Sequence, residues 1–261
     1  MTANALIGYV NRIESGVLTA GSAESERPVA DLAKVSGGDY WQTTAGTVST
    51  WFQCDAGSAV EWRLFGLFRT NLTAAATVRW MLGTTAGASD VLDTTAAAAN
   101  IQAGYGQTVQ ALDQGYSARY LRCEIADAGN PDGFLRVPLA FAGPAWQPGR
   151  NFSYGWSIGW EDPTEMDETI GGQEIARLGP PARRVLELAF DLIGENVVHG
   201  TLLEIDRLKG RTGNVLAVPR PDLAAAIVNR EAVFGRLGDN ARPSNPGFQL
   251  WAKRYRVRER L

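Results

Sequence analysis

Residues 183–194, RRVLELAFDLIG, alternate at every second position. Leu186, Leu188, Phe190 and Leu192 fall on one face, and Val185, Glu187, Ala189 and Asp191 on the other. A period of two belongs to a half-buried strand and does not place its apolar residues on one face of a helix. The same period recurs in TVRWML (77–82), where Val78, Trp80 and Leu82 alternate with Thr77, Arg79 and Met81. In ARYLRCEIA (118–126), Tyr120, Arg122 and Glu124 oppose Leu121, Cys123 and Ile125. VEWRLFGLFRTN (60–71) is more continuously apolar, as in a strand covered on both faces or bulged at Gly66. Pro138 in FLRVPLAFAG marks an edge strand or a bulge. Loops such as GTTAGASD and DTTAAAANIQAGYGQ separate these runs. Short strands at close spacing with Gly/Thr/Asp turns predict a mainly β chain built as a sandwich or barrel.

The character changes near residue 145. In ENVVHGTLLEIDRLKGR (195–211), Val198, Leu202, Ile205 and Leu208 fit helical spacing, Gly210 suits the helix end and Gly200 interrupts the first turn. NVLAVPRPD (214–222) and EAVFGRLG (231–238) read as strands. The closing FQLWAKRYRVRERL sets Trp251, Tyr255 and Val257 against Arg254, Arg256 and Arg258. Such a basic row is a solvated face, a guard against edge pairing, or an interface for an acidic partner. The second half is therefore a β unit with one helix laid across it.

Several function classes are excluded or disfavoured. The chain has one histidine, His199, and two cysteines, Cys54 and Cys123. Histidine-built zinc sites and histidine-based triads need more partners than that, and the cysteines read as free thiols in strands. A net charge of −3 argues against nucleic-acid binding. No apolar run is long enough to span a membrane, and the N-terminus lacks the pattern of a signal peptide. Phosphate loops, nucleophile elbows and zinc-protease motifs are absent. EDPTEMDE (161–168) clusters carboxylates of the kind glycosidases pair, but in a Pro-containing segment that reads as a solvated acidic loop. No enzyme, cofactor or metal site is expected.

Aromatic residues supply the remaining candidates. Tyr40 and Trp41 in GGDYWQT, and Trp51 in STWFQC, offer faces suited to stacking on sugar rings, although a tryptophan entering a sandwich strand also fills cores. FAGPAWQPGRNFSYGWSIGWEDP (141–163) concentrates Trp146, Tyr154, Trp156 and Trp160 among prolines and glycines. It reads as a seam between two domains, 1–144 and 145–261. Trp146, Tyr154, Trp156 and Trp160, with Trp251, Arg254, Tyr255 and Arg256, are the candidate domain or subunit contacts.

NALIGYVNRIESGVLTAGSAESERPVADLAKVSGGDYWQT, GLFRTNLTAAATVRWML and ARYLRCEIADAGNPDGFLRV together resemble galactose-binding-like jelly-roll domains of the discoidin type. The shared layout is an early strand, Pro28 to Leu32, a following tryptophan, and the late strand Ala118 to Ile125. The form with TNLTAAATVR and GNPDGFL looks like the one in tail proteins of long-tailed bacteriophages. RRVLELAFDL, LLEIDRLKG, NVLAVPRPD, EAVFGRLG and KRYRVRERL resemble, in that order, the ring-forming β-sandwich of distal tail proteins. The resemblance implies a jelly roll followed by a second β-sandwich-like domain in a virion tail tip or baseplate. It further implies a six-fold homo-oligomeric ring between the tail tube protein and the central hub protein, with no catalysis. The jelly roll would be displayed outside, where a host surface polysaccharide is the alternative ligand. Asp31 and Asp39 are the only acids near the loop where some discoidin-type domains hold calcium. The arginine and histidine that hold galactose in some members have no counterparts here.

Overall fold

The computed structural model describes residues 3–102, 104–238 and 241–260. Its contacts divide the chain into two units, Met1–Arg150 with Val215–Ala232, and Asn151–Asn214 with Val233–Leu261. The division inside the aromatic segment falls at 150/151 rather than 144/145, leaving Trp146 in the first unit and Trp156 and Trp160 in the second. Nor is the second domain continuous, because residues 215–232 return to the first unit.

In the first unit, β1 (Leu6–Gly8), β2 (Val17–Ala20), β3 (Trp41–Gln42) and β4 (Ser49–Phe68) are followed by β5 (Thr77–Gly83), β6 (Leu92–Asp93) and β7 (Ala97–Ala98). β8 (Thr108–Ala126), β9 (Arg136–Val137) and β10 (Leu139–Gly143) complete it. The main antiparallel sheet has the order β10-β4-β8-β5-β6, with β2 along β4 and β7 along β5, while β3 and β9 pair separately. The alternation read from the sequence sorts the faces, except that Met81, read with Thr77 and Arg79 on the outer face of β5, is buried as well. Phe52, Cys54, Val78, Trp80, Leu82, Leu121, Cys123 and Ile125 are buried and pack in one core with Trp41, Leu135 and Val137. Trp41 meets Phe52 edge-on at 5.6 Å, and Phe65 stacks on Trp80 at 5.0 Å. This is the expected jelly-roll sandwich, with both cysteines free and buried inside it. Burial pushes the Cys54 thiol up to about 12.

Two local expectations change. WFQC and VEWRLFGLF belong to one 20-residue strand, β4. Its register slips between Asp55 and Val60 and between Trp62 and Leu64, not at Gly66, which pairs regularly with Val109 and Phe141. Gly66 is instead where the Phe68 ring lies against the backbone, in space that a Cβ would fill. Pro138 behaves as read: it separates β9 from β10, and β10 ends its sheet.

The second unit opens with β11 (Ser157–Glu161), β12 (Glu165–Glu168), β13 (Glu174–Arg177) and β14 (Arg183–Gly194). A helical segment follows: α1 (Glu195–Val197), a π-helical turn at Val198–Leu202, and α2 (Leu203–Lys209). Gly200 interrupts the helical pattern within that wider turn, and Gly210 ends the helix at φ 47°. Val198, Leu202 and Ile205 are buried as the spacing predicts, whereas Leu208 is exposed.

The chain then runs through β15 (Asn214–Val218) and α3 (Ala225–Glu231). α3 went unread in the sequence. Its Asn229 explains why this stretch joins the jelly roll: Oδ1 accepts from the Val109 N–H at 2.8 Å, and Nδ2 donates to the Ala99 carbonyl at 2.9 Å. β15 pairs antiparallel with β1.

β16 (Val233–Leu237), β17 (Ser244–Gly247) and β18 (Leu250–Glu259) finish the second unit, whose strands take the order β16-β18-β14-β11 with β17 beside β18. The alternation of β14 holds through Phe190 and then breaks. Leu192 takes a positive φ of 57° at a register slip and is exposed. The EDPTEMDE loop is in fact strand-forming, since Glu165–Glu168 pairs with Glu174–Arg177 as a hairpin.

Candidate functional site

The outer face of the jelly-roll sheet carries an open groove of about 350 Å³ lined by Ser49, Thr50, Trp51, Thr77, Arg79, Ala96, Glu124, Ile125 and Ala126. Its layout follows from register. Trp51 on β4 lies opposite Glu124 on β8, which lies opposite Arg79 on β5. Period-two alternation that buries Phe52, Ile125 and Val78 therefore turns an indole, a carboxylate and a guanidinium outward in one row.

Ion pairs fix the polar half of this row. Arg79 grips Asp93 through Nε at 2.9 Å and Nη2 at 2.5 Å, and reaches Glu124 Oε2 at 3.2 Å. Arg122 bonds the other oxygen, with its Nε 3.1 Å from Glu124 Oε1. Its guanidinium also lies 4.2 Å from the Trp51 ring centroid. The Arg79 hydrogen bonds hold the Asp93 carboxyl down at about 2. The groove thus presents an indole with one face already covered by Arg122, hydroxyls from Ser49 and Thr77, and charged groups held in place.

The other two residues expected to touch glycan separate sharply. Trp41 is 1% exposed, with its indole in the core and its Nε1 donating to the Ser22 carbonyl at 3.0 Å. It is therefore a core residue and not a contact. Tyr40 is half-buried at the surface, with the Arg27 guanidinium 4.4 Å and the Arg136 guanidinium 5.6 Å from its ring centroid. Sequence reasoning missed Arg79, Arg122 and Glu124 as site residues. Their signal was present, since they occupy the polar positions of two strands already recognised as alternating.

The expected contact residues also divide. Tyr154 is fully exposed, Trp160 is 56% exposed and Arg254 is exposed. Trp146 is half-buried, and its backbone exchanges two hydrogen bonds of 2.9 Å with Ile7. Trp156 packs edge-on against Phe152 at 5.5 Å, and Phe152 packs against Phe190 at 6.4 Å. Tyr255, 2% exposed and 6.3 Å from Phe190, closes that aromatic chain as a core residue, so it offers no surface to a partner. Trp251 meets the His199 ring edge-on at 5.9 Å. β18 lies between β14 and β16, so its basic row guards no edge. Arg256 pairs with Glu187 at 3.3 Å and Arg258 with Glu161 at 2.5 Å.

Two buried ion pairs of the second unit escaped the sequence reading. Lys253 sits on the apolar side of β18, 2.6 Å from Asp206, and Arg184 grips Glu259. Among the described residues no group of three or more His, Cys, Asp or Glu side chains is placed to hold a metal ion.

No protein-family model matches this sequence, and no curated protein matches it either. Solved structures show a partial likeness. A chitosan-binding module of a chitosanase/glucanase from Paenibacillus sp. IK-5 shares 16% identity, with 52% of this chain and 99% of that chain covered at a TM-score of 0.41. A family 32 carbohydrate-binding module of Clostridium perfringens, in complex with galactose, shares 11% identity over 52% of this chain and 98% of its own, at 0.43. A fucose-binding module of Streptococcus pneumoniae shares 12% identity over 52% and 95%, at 0.40. At such identity and score the likeness assigns neither family nor ligand.

Proposed function

We propose that the first unit is a carbohydrate-binding module that takes a surface polysaccharide into the Trp51–Glu124–Arg79 groove. The observation that carries this reading is the register-fixed row itself. A pyranose ring has an apolar face that stacks on an indole and a rim of hydroxyls that both donate and accept. Glu124 accepts, Arg79 donates, and Ser49 and Thr77 do either. The site binds and performs no chemistry. A glycan array probed with the wild-type protein and with Trp51→Ala tests this. Binding to a defined set of glycans that drops at least tenfold in the variant supports it, and a blank array for the wild type contradicts it.

A second reading, that the chain is a structural component of a phage or phage-derived tail tip, is favoured by the surface of the second unit. The β12–β13 hairpin is exposed at all eight strand positions and carries exposed Met166, Ile170, Ile175 and Leu178. A two-stranded hairpin is marginal by itself in water, and Tyr154 and Trp160 add exposed aromatic area. Such surface suits head-to-tail contacts that close into a ring. In that reading a ring of about six subunits joins tail tube to central hub and displays the glycan-binding unit outside. Light scattering over a concentration series checks it: a closed ring is the expected species, and a persistent monomer weighs against self-assembly.

A further inference from the structure

Tyr40 lies outside the groove residues and has two cations over its ring. The Arg27 guanidinium is 4.4 Å and the Arg136 guanidinium 5.6 Å from the ring centroid. Two like charges converging on one half-buried phenol repel each other, and proteins normally offset this with a carboxylate. Glu26 adjoins Arg27 in the chain, is exposed and makes no ion pair with it among the described residues, and the other carboxylates nearby in the chain are tied to other groups. Gln42 Nε2 donates to Glu24 at 2.8 Å, Asn71 Nδ2 donates to Asp132 at 2.8 Å, and Lys34 holds Asp39 at 3.1 Å. Neither Arg27 nor Arg136 has a carboxylate within ion-pair distance among the described residues.

The backbone that carries these cations is anchored. Arg27 donates its N–H to the Glu24 carbonyl at 3.0 Å, and its own carbonyl accepts from the Gln42 N–H at 3.2 Å. The Arg136 N–H donates to Asn71 Oδ1 at 2.8 Å, and Arg136 faces Gln42 in the β3–β9 ladder. Both guanidiniums lie beside one ring, and each carries the planar fork of N–H donors that suits a planar or tetrahedral oxyanion. The stretch from Gly21, whose N–H donates to the Trp51 carbonyl, to Arg27 is short. Six residues reach at most about 21 Å, which bounds the separation of these two backbone segments.

We propose that Arg27 and Arg136, held against Tyr40, form a subsite for an oxyanion substituent, so that the polysaccharide bound is an acidic one. This rests on the carbohydrate-binding reading above. The shared chemistry is an oxyanion on a sugar, and its source is a uronate carboxylate or a sulfate ester.

Titrations of the full chain with polygalacturonate, dextran sulfate and neutral dextran at low and physiological salt, in parallel with the neutral glycans of an array, test the proposal. The expected result is binding of one acidic polymer at least tenfold tighter than of any neutral glycan. The preferred polymer identifies carboxylate or sulfate. Arg27→Gln/Arg136→Gln removes that preference but leaves Trp51-dependent neutral binding intact. Arg27→Lys/Arg136→Lys keeps the charge and loses the planar fork, and is expected to recover only part of the preference. Unchanged acidic binding in the glutamine variant, or neutral glycans bound as tightly as acidic ones, overturns the subsite and leaves the groove reading standing. Binding of no glycan at all by the wild type overturns both.

Discussion

Trp41 and Trp51 lie ten residues apart, and the sequence offered both to a sugar. The structure gives them opposite work. Trp41 faces inward from β3, where its indole fills the core and its N–H reaches a carbonyl, so Trp41→Ala is expected to cost about 3–5 kcal/mol in denaturant unfolding. Trp51 faces outward beneath Arg122, and its truncation is expected to cost about 1 kcal/mol or less. Composition alone does not separate them, because each sits in the same aromatic-polar context and only the sheet partner decides which face is covered. Alternation did carry the answer for Arg122, Glu124 and Arg79, whose outward direction follows from their buried neighbours. The Arg79–Asp93 pair adds a pH dependence with a definite sign. Asp93 is held at about 2 by Arg79, below its unfolded value, so the pair stabilises fully above about pH 4 and loses its effect as pH falls toward 2. The melting-temperature gap between wild type and Asp93→Asn should be constant from about pH 7 to 5 and narrow between about 4 and 2. A gap that widens on acidification contradicts the assignment.

At the scale of elements, the strands were the most legible features. β8 and β18, β14 as far as Phe190 and β5 as far as Trp80 carry period-two patterns that the fold obeys. Features set by contacts distant in sequence were not legible. The slip of β14 at Leu192 depends on its pairing with β18, and α3 is placed by Asn229 bonding to β8, more than a hundred residues away. Lys253 was equally hidden, because a lysine at an apolar position of β18 is tolerated only where the helical segment brings Asp206 to it. Removing one partner leaves the other charge buried. Asp206→Ala should therefore lower stability by about 3–5 kcal/mol, and the double replacement Lys253→Met/Asp206→Leu should recover most of the loss. Urea unfolding distinguishes the cases. Equal losses in the single and double variants would show that packing, not charge, dominates there.

For the whole molecule, the sequence conveyed the fold class, a mainly β chain with a jelly roll and a second β unit carrying a helix. It did not convey that the chain returns to the jelly roll at residues 215–232 before completing the second unit. Cutting the chain after residue 144 or 150 would therefore remove β15 and α3 from the first unit, and the full chain is the proper object for binding studies. The central claim is that sugar docks against one particular tryptophan of the eight. It is tested most directly by nitrogen-15 spectra of the indole N–H groups while the best array ligand is titrated in. The account predicts that the Trp51 signal moves in proportion to occupancy, while those of the buried Trp41 and Trp62 stay in place. Saturable binding that shifts other indoles and leaves Trp51 unmoved would contradict it.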